Sequence, residues 1–308
     1  MAFERIVTRV LPSGRKSRVS PFHISMEGLE SATLCREDED YDQLEKGFYI
    51  SAWKNDTIPV IGIAMSNHGH LALLAVDKKS ALMTGELIKK RHSQYLSWKY
   101  GEKGLLDRSV VDVRYLDSDW YVRNALAYIA RNALDAGERI EDYRWSGYRG
   151  MFAGGRCPAG ITRVSTLSTR QWEGLFHTHE NLGKVPWMLN IHGQVEPASA
   201  CDYEYLESAF AHDQSFFLKT IGSVNTAEMT EMLMMNTRAR RTDTEMLAII
   251  NNLSGKWFQK SILELTPEMK ARLVPYIYRS YRTSVPQLAR CIRMSREHIS
   301  SLLPSKNH

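Results

Sequence analysis

The chain has only four cysteines among its 308 residues. Cys35, Cys157, Cys201 and Cys291 form no CxxC pair, which excludes a zinc ribbon and a dense disulfide framework, so reduced thiols are expected. Apolar runs near the ~20 residues that cross a bilayer are missing. The opening stretch MAFERIVTRVLPSGRKSR carries charge where a secretory leader would have its apolar core. A soluble, cytoplasmic protein with no membrane partner is therefore expected. A large excess of charge of one sign is missing too, at a net +5. Basic residues still gather locally: Arg15, Lys16 and Arg18; Lys89, Lys90 and Arg91; Arg238, Arg240 and Arg241. Such clusters suit either a solvated face or contact with nucleic acid. No internal repeat is present. With 43% hydrophobic residues the chain can bury a sizeable core and has room for roughly two domains.

Periodicity supplies the elements. From Pro21 to Glu27, Phe22, Ile24 and Met26 alternate with His23 and Ser25, predicting a strand. Residues 37 to 52 predict an amphipathic helix with Tyr41, Leu44, Phe48 and Ala52 on its core face. "TIPVIGIAM" and "HLALLAV" predict two strands of a hairpin, joined through SNHG. A helix capped by Ser80 should run to about Trp98 and stop at Gly101. "SVVDVRYL" predicts a fourth strand, and a further helix should run from about Asp119 to Ala136 with Gly137 ending it. Strand, helix, strand, strand, helix, strand is the ferredoxin-like order, an α+β fold with an antiparallel sheet and helices on one face.

His68 and His70 stand two apart where the second hairpin strand begins, so both imidazoles leave the same face. That spacing suits a chelating pair, and equally suits two polar residues on a strand. A second pair, His177 and His179 in "FHTHE", lies where no strand is predicted and is read as incidental. On the last helix, Tyr121, Asn124, Tyr128 and Asn132 recur at three- and four-residue steps and share a face. A tyrosine hydroxyl can attack phosphorus when a metal polarises the phosphate, and an amide oxygen one turn on can help to hold that metal. The same stripe also fits a helix face packed on a sheet.

Three motifs in order carry a resemblance: Met65-Ser66-Asn67-His68-Gly69-His70-Leu71, then Tyr128-Ile129-Ala130-Arg131-Asn132-Ala133-Leu134-Asp135-Ala136-Gly137, then Trp145-Ser146-Gly147-Tyr148. Over about residues 20 to 155 the chain resembles the HUH single-tyrosine transposases, and more closely their REP-associated branch. Phe22-His23-Ile24 is similar to that family's first-strand Tyr-His-Val. The chain departs from the family pattern at Ser66 and Ala133, where proline is usual, at Gly147 for serine, and at Leu106-Asp107-Arg108-Ser109 for a Gln-x-Arg-Phe segment. The resemblance implies an HUH endonuclease fold that cleaves and rejoins single-stranded DNA near hairpins through a 5′-phosphotyrosine. It makes Tyr128 the nucleophile and His68, His70 and Asn132 the ligands of Mg²⁺ or Mn²⁺. Imidazole nitrogen suits Mn²⁺ better than Mg²⁺, so tighter Mn²⁺ binding in vitro is expected. Whether one chain or a homodimer builds the site stays open. So does a second function, a domesticated and catalytically silent DNA-binding regulator.

The remaining chain divides into residues 156–255, to which no chemistry is assigned, and 256–308. In the latter, Leu288, Ala289 and Ile292, a break at Arg293-Met294, Ser295 as a cap, and then Ile299 and Leu302 have the spacing of a helix-turn-helix. An ordinary helical hairpin has the same pattern. Ser284 and Gln287 resemble a capping box. As a DNA reader this region would offer Arg296, His298, Ser300 and Ser301, with Arg296 and Ser300 the leading candidates. In the first domain, Lys89, Lys90 and Arg91 are the candidate DNA contacts.

Overall fold

Strand β4 (His68–Ala75) is buried along all of its length, which requires cover on both sheet faces. Alternate side chains enter different cores. Leu71, Leu73 and Ala75 pack with Phe22, Ile24 and Met26 under α1 (Asp38–Lys54) and α2 (Lys78–Tyr100). Ala72 and Leu74 pack with Ile61 and Ile63 under α3 (Asp119–Asp135). Helices therefore cover both faces, whereas the sequence predicted one; the apolar residues of β3 and β4 on that side give α3 its own surface to bury.

This computed structural model describes residues 3–27, 34–107, 109–152, 162–226, 229, 243–281, 283 and 285–303. The fold is α+β. Its main sheet runs β1-β2-β4-β3, with β5 also paired to β2. β2 (Lys16–Glu27) begins earlier than predicted because β1 (Val7–Val10), which periodicity did not reveal, pairs antiparallel with residues 16–19. β5 (Val111–Tyr115) pairs antiparallel with residues 22–26. β3 (Ile58–Ala64) and β4 form the expected antiparallel hairpin. Gly69, between the two histidines, faces α1. A Cβ there would stand 3.3 Å from the Phe48 ring, and one on Gly62 2.9 Å from it. The two glycines let α1 lie close to the hairpin.

The helix ends follow capping chemistry. Asp77, not Ser80, caps α2: its carboxylate accepts from the Ser80 backbone N–H and hydroxyl at 2.7 and 2.8 Å. Asp takes the cap because Ser80 already sits at the third helical position, whose N–H needs the acceptor. Gly101 ends α2 at φ 70°, and Gly137 follows α3 at φ 82°, the left-handed geometry glycine accepts without strain.

Contacts divide the chain into two compact units, residues 1–26 with 34–235 and residues 27–33 with 236–308. Residues 162–235, read from sequence as part of a separate middle region, pack within the first unit where they are described. Trp172 and Phe176 of α4 (Thr169–Phe176), with Val164, Trp187 and Leu189, cluster on Tyr49 and Ile50 of α1. That cover buries α1 on more than the predicted stripe, and Arg149, from the Gly147–Gly150 turn, pairs with the buried Glu45 at 3.1 Å. α5 (Tyr203–Ala209) and α6 (Gln214–Ser223) share the core beneath α3 through Leu206, Phe217 and Ile221. Gly150 meets this segment closely, since a Cβ would lie 2.8 Å from the Ala198 backbone nitrogen. Gly150→Ala should therefore destabilise the first unit by about 1–3 kcal/mol through overpacking. Thermal unfolding checks this, and an unchanged midpoint would place residues 197–203 elsewhere.

In the second unit, helices Asp243–Phe258, Pro267–Ser280, Val285–Ile292 and Arg296–Leu302 surround Ile250, Leu273, Ile277, Leu288, Ile292 and Ile299. The predicted break falls at Arg293, left-handed at φ 56°. Ser295 caps the following helix, accepting from the His298 N–H at 3.2 Å. Ser284 of the predicted capping box lies outside the described residues, as do Arg238, Arg240, Arg241, Cys157 and Arg108. Gln287 accepts a hydrogen bond from the Thr283 hydroxyl at 2.8 Å.

Candidate functional site

The strand phase that presents His68 and His70 to α3 is continued on β2 by His23, and the helix supplies Tyr128 and Asn132. All five side chains are buried: His68 at 7% exposure, His70 and His23 at 0%, Tyr128 at 2% and Asn132 at 1%. The His68 Nε2 is 3.1 Å from the Asn132 Oδ1. The Tyr128 ring meets the His70 ring edge-on with centroids 5.5 Å apart, and the His68 and His70 centroids are 5.0 Å apart. Strand β4 and helix α3 thus bring together the four residues that the motifs single out.

The amide of Asn132 is held in one orientation. Its nitrogen donates to the Tyr128 carbonyl one turn back at 2.7 Å, which turns the oxygen towards His68. On the other side of the same imidazole, the His68 Nδ1 is 2.8 Å from the Asn67 Oδ1. A neutral imidazole has one proton and cannot donate to both oxygens. If Asn67 accepts from Nδ1, the Nε2 lone pair faces a second lone pair on Asn132, an arrangement that a cation between them would satisfy. Two donors about 2.1 Å from an octahedral cation and at right angles lie about 3.0 Å apart, close to the separation found. Two imidazoles and an amide oxygen also suit a divalent ion that keeps positions open for water or substrate. Among the described residues, no group of three or more His, Cys, Asp or Glu is arranged to hold a metal ion, so a cation here depends on the Asn132 oxygen.

Tyr121 lies two turns before Tyr128, and burial pushes its hydroxyl up to about 12. The Asn124 amide is turned back to the Trp120 carbonyl at 2.8 Å. Trp145-Ser146-Gly147-Tyr148 is structural: Ser146 bridges Ile63 on β3, and the Trp145 indole donates to Asp42 at 2.8 Å while stacking on Tyr41. This segment ties the chain leaving α3 to the outer edge of the hairpin. His177 and His179 are elsewhere in the unit, His177 against Trp98 with centroids 4.7 Å apart and His179 on Glu173 at 3.0 Å.

The basic run on α2 is divided in orientation. The Lys89 ammonium donates to the Ser109 carbonyl at 2.6 Å. The Arg91 guanidinium is turned inward onto the Phe176 carbonyl at 3.1 Å and the Thr178 hydroxyl at 3.3 Å. Lys90 is exposed. In the second unit Arg296, His298, Ser300 and Ser301 are all exposed while Ile299 faces the core.

The sequence placed Asn67 only in the hairpin connection and His23 only in the alternation of the first strand, and gave neither a contact with the two motif histidines. The signal was in the strand pattern: in a central strand, the polar phase containing His23 and Ser25 faces a second core rather than water. Compared with known proteins, the chain matches no family model and no curated protein. One solved structure, described as the REP associates tyrosine transposase bound to a REP hairpin, is similar over 45% of this chain and 82% of that chain, at 15% identity and a TM-score of 0.34. No described helix is long and apolar enough to cross a membrane.

Proposed function

We infer that the chain is a DNA strand transferase of the HUH type, acting on single-stranded, hairpin-forming DNA through Tyr128. The observation that carries this reading is the convergence of His68, His70, Asn132 and Tyr128 from two separate motifs onto one buried face, with the His68 nitrogen and Asn132 oxygen 3.1 Å apart. The spatial order β5-β2-β4-β3 supports the ferredoxin-like frame on which such a site would be built.

His68, His70 and Asn132 would hold Mg²⁺ or Mn²⁺. When bound, the ion supplies Lewis-acid polarisation of a non-bridging phosphate oxygen. Tyr128 then forms a bond from its hydroxyl oxygen to phosphorus as the bond to the 3′-oxygen breaks. The tyrosine gives up its proton and the leaving oxygen takes one, leaving a 5′-phosphotyrosine and a 3′-hydroxyl. Because the phosphodiester is exchanged for another ester, a second 3′-hydroxyl can reverse the step and join strands without ATP. At 2% exposure, Tyr128 must be uncovered for a phosphate to reach it.

That burial favours a second reading, a DNA-binding regulator that has kept the fold without the chemistry. Incubation with a single-stranded hairpin and Mn²⁺, followed by a denaturing gel, separates the two. A covalent protein–DNA band supports the transferase, and a native mobility shift without that band supports the regulator.

The Arg296–Leu302 helix, with Arg296, His298, Ser300 and Ser301 exposed, supports a helix-turn-helix reader, and the exposed Lys90 would add a backbone contact. Lys89 and Arg91 would do so only by exchanging their bonds to the Ser109 and Phe176 carbonyls. Removing residues 236–308, the main segment of the second unit, should reduce discrimination between hairpin sequences while leaving weak, salt-sensitive binding. Fluorescence anisotropy at several salt concentrations measures both, and undiminished discrimination would remove the reader.

A further inference from the structure

The His70 imidazole is joined through Nδ1 to a residue outside the two main motifs. The His23 Nε2 lies 3.1 Å from it, and the rings are tilted by 31° with centroids 5.1 Å apart. Both residues are fully buried, so the bond is made away from competing water. One proton is shared between two nitrogens, and its position fixes the chemistry at the far side of His70. If His23 donates, a neutral His70 carries its own proton on Nε2 and has no lone pair there. If His70 donates from Nδ1, the Nε2 lone pair is free to bind a cation.

We propose that His23 is a positioning residue that accepts the Nδ1 proton of His70, fixing the tautomer and ring orientation in which His70 can ligate a divalent cation. The proposal rests on reading His68, His70 and Asn132 as a cation site. Asn67 stands in the same relation to His68, with its side-chain oxygen 2.8 Å from Nδ1. Each candidate imidazole ligand is thus held at Nδ1 by a neighbour. The backbone explains why the partner comes from β2. This strand lies directly beside β4 in the sheet, and its polar phase shares the α3 side with the two histidines.

The test combines ring ¹⁵N NMR of the metal-free full chain with Mn²⁺ titration followed by electron paramagnetic resonance. In the parent, His70 should be protonated at Nδ1 and bare at Nε2. His23→Phe should shift His70 towards the Nε2–H form and weaken Mn²⁺ binding by about tenfold to a hundredfold, the usual loss when a ligand's hydrogen-bond partner is removed. His23→Gln, whose amide oxygen can accept the same proton, should restore the tautomer and most of the affinity. A purely structural role would leave the tautomer unmoved and give Gln no advantage over Phe. An Nε2–H His70 in the parent, or equal Mn²⁺ affinity in the parent and the Phe variant, overturns the proposal. Should His23→Phe fail to fold, the parent spectrum and the Gln variant still decide it. If the parent binds no Mn²⁺, the cation site itself fails, while the ring spectrum separately decides the role of His23.

Discussion

Replacing His68 and His70 together with alanine is expected to remove Mn²⁺-dependent cleavage, with a rate loss of about a hundredfold to a thousandfold or more, whereas His177→Ala should cleave at the parent rate. The magnitude follows from the several kcal/mol that a bound ion contributes to phosphoryl-group chemistry, at about 1.4 kcal/mol per tenfold in rate. Geometry sets the difference between the two pairs. His68 and His70 face α3, where Asn132 and Tyr128 meet them. His177 instead packs against Trp98, outside that cluster. Because the double substitution deletes two buried rings, circular dichroism and hairpin binding must be measured beside cleavage. Loss of cleavage with DNA binding intact locates the defect in chemistry. Equal losses from His177→Ala would mean that the reacting centre has been misplaced.

Tyr128→Phe should abolish the covalent protein–DNA adduct while Tyr121→Phe keeps it. The substitution removes one oxygen and almost no volume, so the packing of the ring on His70 should survive along with folding, Mn²⁺ affinity and DNA binding. Nucleophilic catalysis has no substitute within reach on the same helix face, because Tyr121 lies two turns away on α3. A Tyr128→Phe protein that still cleaves at the parent rate would be using water, making the protein a metal-dependent nuclease.

Local patterns in the sequence made much of the first unit legible. The His-x-His spacing placed both imidazoles on one face, and the i, i+4 spacing of Tyr128 and Asn132 placed both on another, because strand and helix periods are local properties. Gly101 and Gly137 marked helix ends for the same reason. Features that depend on distant segments were hidden. Nothing near Glu45 announces Arg149, and the strand pattern alone does not reveal that residues 162–195 cover α1. Likewise, β1 is too short to show a period and is defined by its pairing with β2. The His23–His70 bond was half visible: alternation gave the correct phase for His23, but only the neighbouring position of β2 and β4 shows what that phase meets. Arg91 shows the reverse limit, since a basic run looks outward in sequence while its guanidinium serves the Phe176 carbonyl at the end of α4.

The most direct test of the account is peptide mapping of the full-length chain after incubation with a single-stranded hairpin and Mn²⁺, with denaturation, nuclease trimming and mass spectrometry. The account predicts a nucleotide on Tyr128, joined through a 5′-phosphate and absent when Mn²⁺ is chelated. A nucleotide on Tyr121, or hairpin cleavage with no covalent nucleotide anywhere on the chain, would contradict it.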